Sequence, residues 1–153
     1  MTRRELREHC FKMLFCADFY PAEETKEQLG CYFELPQEDE TTPEGVLNIL
    51  HQAEFDEKDH QYLLQKSEAV IGKLSELDGR INEVAQGWKT KRMGKVDLTI
   101  LRLALFEMLY DQEIPEKVAI NEAVELAKKF GQKESPAFIN GVLAKLVSGQ
   151  ETG

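Results

Sequence analysis

One segment constrains this chain more than any other. Residues 96–109 read Val-Asp-Leu-Thr-Ile-Leu-Arg-Leu-Ala-Leu-Phe-Glu-Met-Leu, and no polar stripe runs along them. A helix that is apolar nearly all round must have neighbours on most of its sides. The remainder of the chain therefore has to supply helices to cover it. With 153 residues there is enough chain to do so without disulfide or metal staples.

Helical period recurs on both sides of that segment. In the first stretch Leu6, Cys10, Met13, Leu14 and Ala17 recur at helical steps, leaving Arg3, Arg4, Arg7 and Lys12 largely off the apolar stripe. Tyr20-Pro21 ends it, because a residue before proline disfavours the helical region. A second helix is expected over 22–33, with Leu29 and Phe33 four apart, followed by an acidic connection. Thr42-Pro43-Glu44 reads as a cap, a proline at the first helical position and an acid at the positive helix end. That short helix should stop near His51.

The longest helix is predicted over 56–74, with Leu63, Ser67, Val70 and Leu74 on one face. Leu77, Ile81, Val84, Ala85 and Trp88 form a separate amphipathic piece, followed by a basic loop over 89–95. Beyond the central segment, Val118, Ala123, Leu126, Ala127 and Phe130 point inward from another helix, with Gly131 as its C-terminal stop. Ser135-Pro136 repeats the cap-and-proline start, and Phe138, Val142, Leu143 and Leu146 carry the last helix inward. No sustained alternation of β-branched residues argues for a strand. The expected fold is all-α, a compact domain of about seven or eight helices over 1–148 with a flexible tail at 149–153.

Net charge is −9, which argues against a general nucleic-acid binder, yet the charge is unevenly spread. Residues 18–59 hold thirteen acids against Lys26 and Lys58, leaving seventeen basic and fifteen acidic residues elsewhere. Two stretches are richer still in cations: Arg3, Arg4, Arg7 and Lys12, and then Lys89, Lys91, Arg92, Lys95 and Arg102. Phosphate contacts should come from these, since neutralising phosphates needs cations close together.

Catalytic and metal chemistry find little purchase. GxSxG, P-loop and GxGxxG patterns are missing, and no cofactor is expected. Cys10, Cys16 and Cys31 contain no CxxC, and His9, His51 and His60 do not complete a zinc spacing, so reduced thiols and solvated histidines are expected. Glu122 and Glu125 sit three apart on a helix but next to Lys128 and Lys129, which points to ion pairs. A binding protein is the better reading. No run approaches the roughly 18 apolar residues of a membrane span, and the N-terminus lacks a signal-peptide pattern, so a cytoplasmic location is expected.

Three motifs identify a family resemblance. Val96-Asp97 through Ile100-Leu101-Arg102-Leu103-Ala104 is followed by Ile120-Asn121-Glu122-Ala123-Val124-Glu125-Leu126-Ala127-Lys128, and then by Ser135 and Phe138-Ile139-Asn140-Gly141-Val142-Leu143. In this order they resemble the transcription antitermination factor NusB family. Arg3-Arg4-Glu5-Leu6-Arg7 also looks like that family's arginine-rich first helix, and Asp78, Ile81 and Trp88 fit its fifth-helix pattern.

The resemblance implies paired helical bundles. It also implies binding of boxA-type single-stranded RNA from ribosomal RNA leaders, together with the small-subunit ribosomal protein NusE. The two then join an RNA polymerase antitermination complex that resists termination. By position, Arg3, Arg4, Arg7 and Phe15 would contact RNA, with Arg102, Lys133, Glu134 and Phe138, and Asp97 would face the protein partner. Phe15 stands where the family has a tyrosine, and Leu98 where many members have arginine. Glu5 and Glu8 interrupt the arginine block, so RNA binding should lean on the partner.

Two other readings fit the same pattern. One is a stand-alone RNA-binding domain like those fused to ribosomal RNA methyltransferases, against which counts the lack of a catalytic domain before Gly153. The other is a self-associating regulatory bundle, because some family members form homodimers. In that case the arginine-bearing helix would lie in an interface. Asn140-Gly141 inside a helix, where glycine costs roughly 1 kcal/mol, is read as a close helix crossing.

Overall fold

The structure, a computed structural model, describes residues 1–34, 36–37, 51–52, 55–85 and 93–151. Among these residues are seven α-helices: α1 (Arg3–Ala17), α2 (Ala22–Cys31), α3 (Glu57–Ile71), α4 (Leu74–Val84), α5 (Lys95–Tyr110), α6 (Glu116–Phe130) and α7 (Ser135–Glu151). The all-α expectation holds. A 3-10 turn, Tyr32–Glu34, follows α2. Pro36–Gln37 (β1) pairs antiparallel with His51–Gln52 (β2), Pro36 opposite Gln52. Nothing along the chain signals this pairing, since two residues are too few to display an alternation. The expected helix after Pro43, Trp88 and most of the basic loop lie outside the described residues.

The chain groups into two compact units, Met1–Glu68 and Ala69–Gly153, divided inside α3. In the first unit, Thr2 caps α1 reciprocally with Glu5. The Glu5 amide donates to Thr2 Oγ1 at 3.1 Å, and the Thr2 amide donates to Glu5 Oε1 at 3.4 Å. Cys10, Phe11, Met13, Leu14 and Ala17 of α1 are buried, as are Leu29, Tyr32 and Leu63. Ser67 is fully buried too, its hydroxyl 3.5 Å from Cys10 Sγ and 3.9 Å from Met13 Sδ.

Two histidines expected in solvent are instead packed among rings. His9 Nδ1 is 2.6 Å from the Tyr32 hydroxyl and the ring meets Phe55 edge-on, while His60 lies 4.0 Å from Phe33. The thiols are free, with Cys10 buried, Cys16 exposed and Cys31 half-buried.

In the second unit α5 is the centre. Leu98, Thr99, Ile100, Leu101, Leu103, Ala104, Leu105 and Glu107 are all buried, and α5 packs against α4, α6 and α7. Four consecutive buried positions, 98–101, cover a full helical turn, which is what an all-round apolar segment demands.

Helix α6 buries Ala123, Leu126 and Ala127 as expected, but not Val118 or Phe130. Ala119, Ala123, Leu126 and Ala127 are buried, whereas Val118 is 43% exposed and Phe130 half-buried. Three alanines on that face let two backbones approach where valine and phenylalanine would hold them apart. In α7 the inward row starts at Ile139 rather than Phe138, and the helix continues to Glu151, through most of the expected tail.

Of the two glycines near this end, Gly131 stops α6 as expected, whereas Gly141 departs from expectation. Gly131 has φ −93°, so left-handed backbone is not its reason. A Cβ there would come within 2.7 Å of Ser135 Oγ and 2.8 Å of the Ala127 carbonyl, so close approach requires glycine. Ser135 accepts a hydrogen bond from the Gln132 amide at 2.9 Å and ties the same turn. Gly141, expected at a helix crossing, is exposed, and a Cβ there would meet nothing within 4 Å. The close-crossing reading is therefore wrong. Asn140 beside it is also exposed.

Candidate nucleic-acid interface

The first group of candidate residues is carried by α1. Arg3 and Arg4 are exposed in its first turn. Cations there face the positive end of the helix dipole, an arrangement that costs a helix roughly 0.3–1 kcal/mol. The helix dipole therefore does not account for them. Arg7 differs: it is only 7% exposed and belongs to the buried set of α1. The sequence placed it off the apolar stripe, but the stripe is wider than Leu6, Cys10 and Leu14 implied, because Phe11 belongs to it.

Phe15 sits half-buried near the end of α1, stacked on buried Phe11 with ring centroids 6.1 Å apart. Its other neighbour is Phe19, at 5.2 Å and an interplanar angle of 79°. Phe19 is 60% exposed and Tyr20 is 45% exposed. At 100° per residue, Arg4 and Phe15 lie within about 20° of each other around the helix, about 16 Å apart along it. One side of α1 therefore carries a cation at one end and rings at the other. Sequence reading missed Phe19. The i, i+4, i+8 spacing of Phe11, Phe15 and Phe19 was the signal that could have found it.

Lys12 and His9 lie between the arginines and the rings, both half-buried. Burial pushes the His9 imidazole below its ordinary value, and the neighbouring Lys12 charge pushes it further the same way. Both effects favour the neutral ring, whose Nδ1 lies within hydrogen-bonding distance of the Tyr32 hydroxyl.

The second group lies in the other unit. Lys133 and Glu134 are exposed on the turn between α6 and α7. Phe138 is half-buried one turn later, its amide donating to the Glu134 carbonyl at 3.1 Å. These three are brought together by the Gly131–Ser135 turn.

Asp97 is half-buried in the first turn of α5, where its charge complements the helix dipole. Arg102 is five residues further on, about 140° round the helix from Asp97, and does not join it. Its guanidinium is forked onto Asp78 of α4: Nε donates to Oδ1 at 2.8 Å and Nη2 to Oδ2 at 2.7 Å. With only 13% of its side chain accessible, Arg102 first serves to clamp α4 to α5. Glu125 pairs with Lys128 at 3.2 Å. Among the described residues no group of histidine, cysteine and carboxylate side chains is placed to hold a metal ion.

Exposed arginines at the start of α1 and an aromatic corner at its end, in a mainly helical chain of net charge −9, describe a binding protein of the nucleic-acid class. The comparisons narrow that class. The NusB family model matches residues 4–148, a span that includes both units. The transcription antitermination protein NusB of Agathobacter rectalis is 47% identical over 145 residues, which cover 95% of this chain and 98% of that protein. The solved NusB of T. maritima has a TM-score of 0.77 and 30% identity, over 97% of this chain and 92% of that one. A crystal structure of antitermination factors NusB and NusE in complex with dsRNA matches at a TM-score of 0.73 over 96% of each chain. At 20% identity, that likeness is one of fold. The chain belongs to the NusB family.

Proposed function

We propose that this protein is a transcription antitermination factor that binds boxA-type single-stranded RNA of ribosomal RNA leaders together with NusE. The bound pair joins the RNA polymerase antitermination complex, so its work is in the cytoplasm. The observation that carries this reading is family membership across residues 4–148, supported by 47% identity to a NusB transcription antitermination protein over nearly its whole length. The solved complex of NusB with NusE and RNA is why NusE is the proposed protein partner. No helix among the described residues is long and apolar enough to cross a membrane.

Within this reading the residues divide by what they have to offer. Arg3 and Arg4, exposed at the start of α1, supply phosphate contacts, and Phe15 supplies a stacking face. Lys133, Glu134 and Phe138 form a second contact patch on the α6–α7 turn. Arg7, buried, and Arg102, forked onto Asp78, each serve first the packing of their own unit. Asp97 is assigned to NusE.

With so few exposed cations in the first helix, RNA affinity depends on NusE, and the two ligands strengthen each other reciprocally. The test is titration of a boxA-type RNA with and without purified NusE, and of NusE with and without that RNA. Both affinities should rise by the same factor. Identical RNA affinity in the two titrations would sink the proposal.

A further inference from the structure

The most exposed large apolar side chain among the described residues is Phe19, with 60% of its surface accessible, and Tyr20 follows at 45%. Burying a phenylalanine is worth a few kcal/mol, and here two neighbouring rings, not one scattered side chain, are left in solvent. Phe19 is also held in place. Its amide donates to the Cys16 carbonyl at 3.3 Å in the turn that closes α1, and its ring meets Phe15 at 79°. Phe15 in turn leans on Phe11, which is 3% exposed and anchored in the core. The three rings thus run from core to solvent and end in a corner of two nearly perpendicular planes.

A flat, apolar ligand that stacks on one ring of such a corner presents its edge to the other. Nucleobases have that shape, and their stacking on aromatic side chains is tolerant of sequence. The same side of α1 offers the exposed Arg4 about 16 Å away, so a strand seated on the rings has a cation for its phosphates. We infer that Phe19, with Phe15, forms a base-stacking corner at the end of α1, which seats an unpaired base of the bound RNA. This rests on the RNA-binding reading above and adds a residue to it. Phe19 is the outer wall, and a base reaching Phe15 encounters it first.

The experiment uses the full chain and a boxA-type RNA oligonucleotide carrying 2-aminopurine at successive single positions. Binding to the parent should quench the fluorescence of one position through stacking. Phe19→Ala should abolish that quenching and weaken binding by at least about fivefold. It should leave the salt dependence unchanged, because stacking releases no counterions. Phe19→Trp should restore both affinity and quenching. Circular dichroism confirms that each variant is folded, and Arg4→Ala serves as the control.

If Arg4→Ala weakens binding while Phe19→Ala does not, the stacking corner is wrong and the RNA reading survives. If neither variant changes RNA binding, both fail together. If Phe19→Ala instead shifts a sedimenting dimer to monomer with RNA affinity intact, the corner seats a second copy of this chain and the inference is overturned.

Discussion

Helices α1 and α5 are nearly equal in length but solve different problems. Helix α5 buries four consecutive residues, and its one arginine is spent on Asp78 within its own unit. Helix α1 buries one side and keeps Arg3 and Arg4 exposed where the helix dipole disfavours them. Most of α5 is accounted for by packing, which leaves little beyond its first turn, where Asp97 lies, to bind with. A helix carrying charges and rings that packing does not explain is where a ligand should be sought.

The most direct way to break this contrast is at the centre of α5. Leu101 is fully buried, and Leu101→Ala should cost about 2–5 kcal/mol in urea unfolding. A loss under about 1 kcal/mol would mean that α5 is not the packed centre of its unit. The Arg102–Asp78 fork should come next. Arg102→Ala leaves a partly buried carboxylate without its main donor and should destabilise by roughly 1–3 kcal/mol. The slope of RNA affinity against salt should stay unchanged. A reduced slope would make Arg102 a phosphate ligand after all.

On α1 the pattern should invert. Replacing Arg3 and Arg4 with alanine should change stability by no more than about 0.5 kcal/mol. The salt slope of RNA binding should fall by about one unit for each phosphate that is no longer neutralised. Should the double variant unfold more easily yet bind RNA normally, the roles of the two helices have been misassigned.

The smallest effect concerns His9. Its folded-state value is lowered by burial and by Lys12, so the unfolded chain takes up the proton first. The stability this neutral ring contributes is complete above the ordinary histidine value of 6.5 and is lost as pH falls below it. His9→Gln keeps a hydrogen-bonding group near Tyr32 but cannot titrate, so its stability should vary less than the parent's as pH falls from neutral to mildly acidic. Equal pH dependence would remove His9 from the account.

The helical class, the central place of α5 and the family were legible in the chain. Periodicity and a continuous apolar run are local properties, and they survive whatever surrounds them. What the sequence could not reveal was which edge of each helix meets a neighbour. Phe11 widens the buried side of α1 and takes Arg7 with it. On α6, Ala119 is buried where Val118 is exposed and Phe130 half-buried, because close approach of two backbones favours the smaller side chains.

Tertiary structure alone decided the pairings across sequence. Asp78 and Arg102 are 24 residues apart, His9 and Tyr32 are 23 apart, and Cys10 and Ser67 are 57 apart. No spacing rule links such residues, because their meeting depends on how whole helices cross. The same holds for the two glycines. Gly131 is required by a serine four residues away that folds back within 2.7 Å, while Gly141 faces open space. In sequence both are glycines at or within a helix; only the atoms around them decide which one the fold cannot replace.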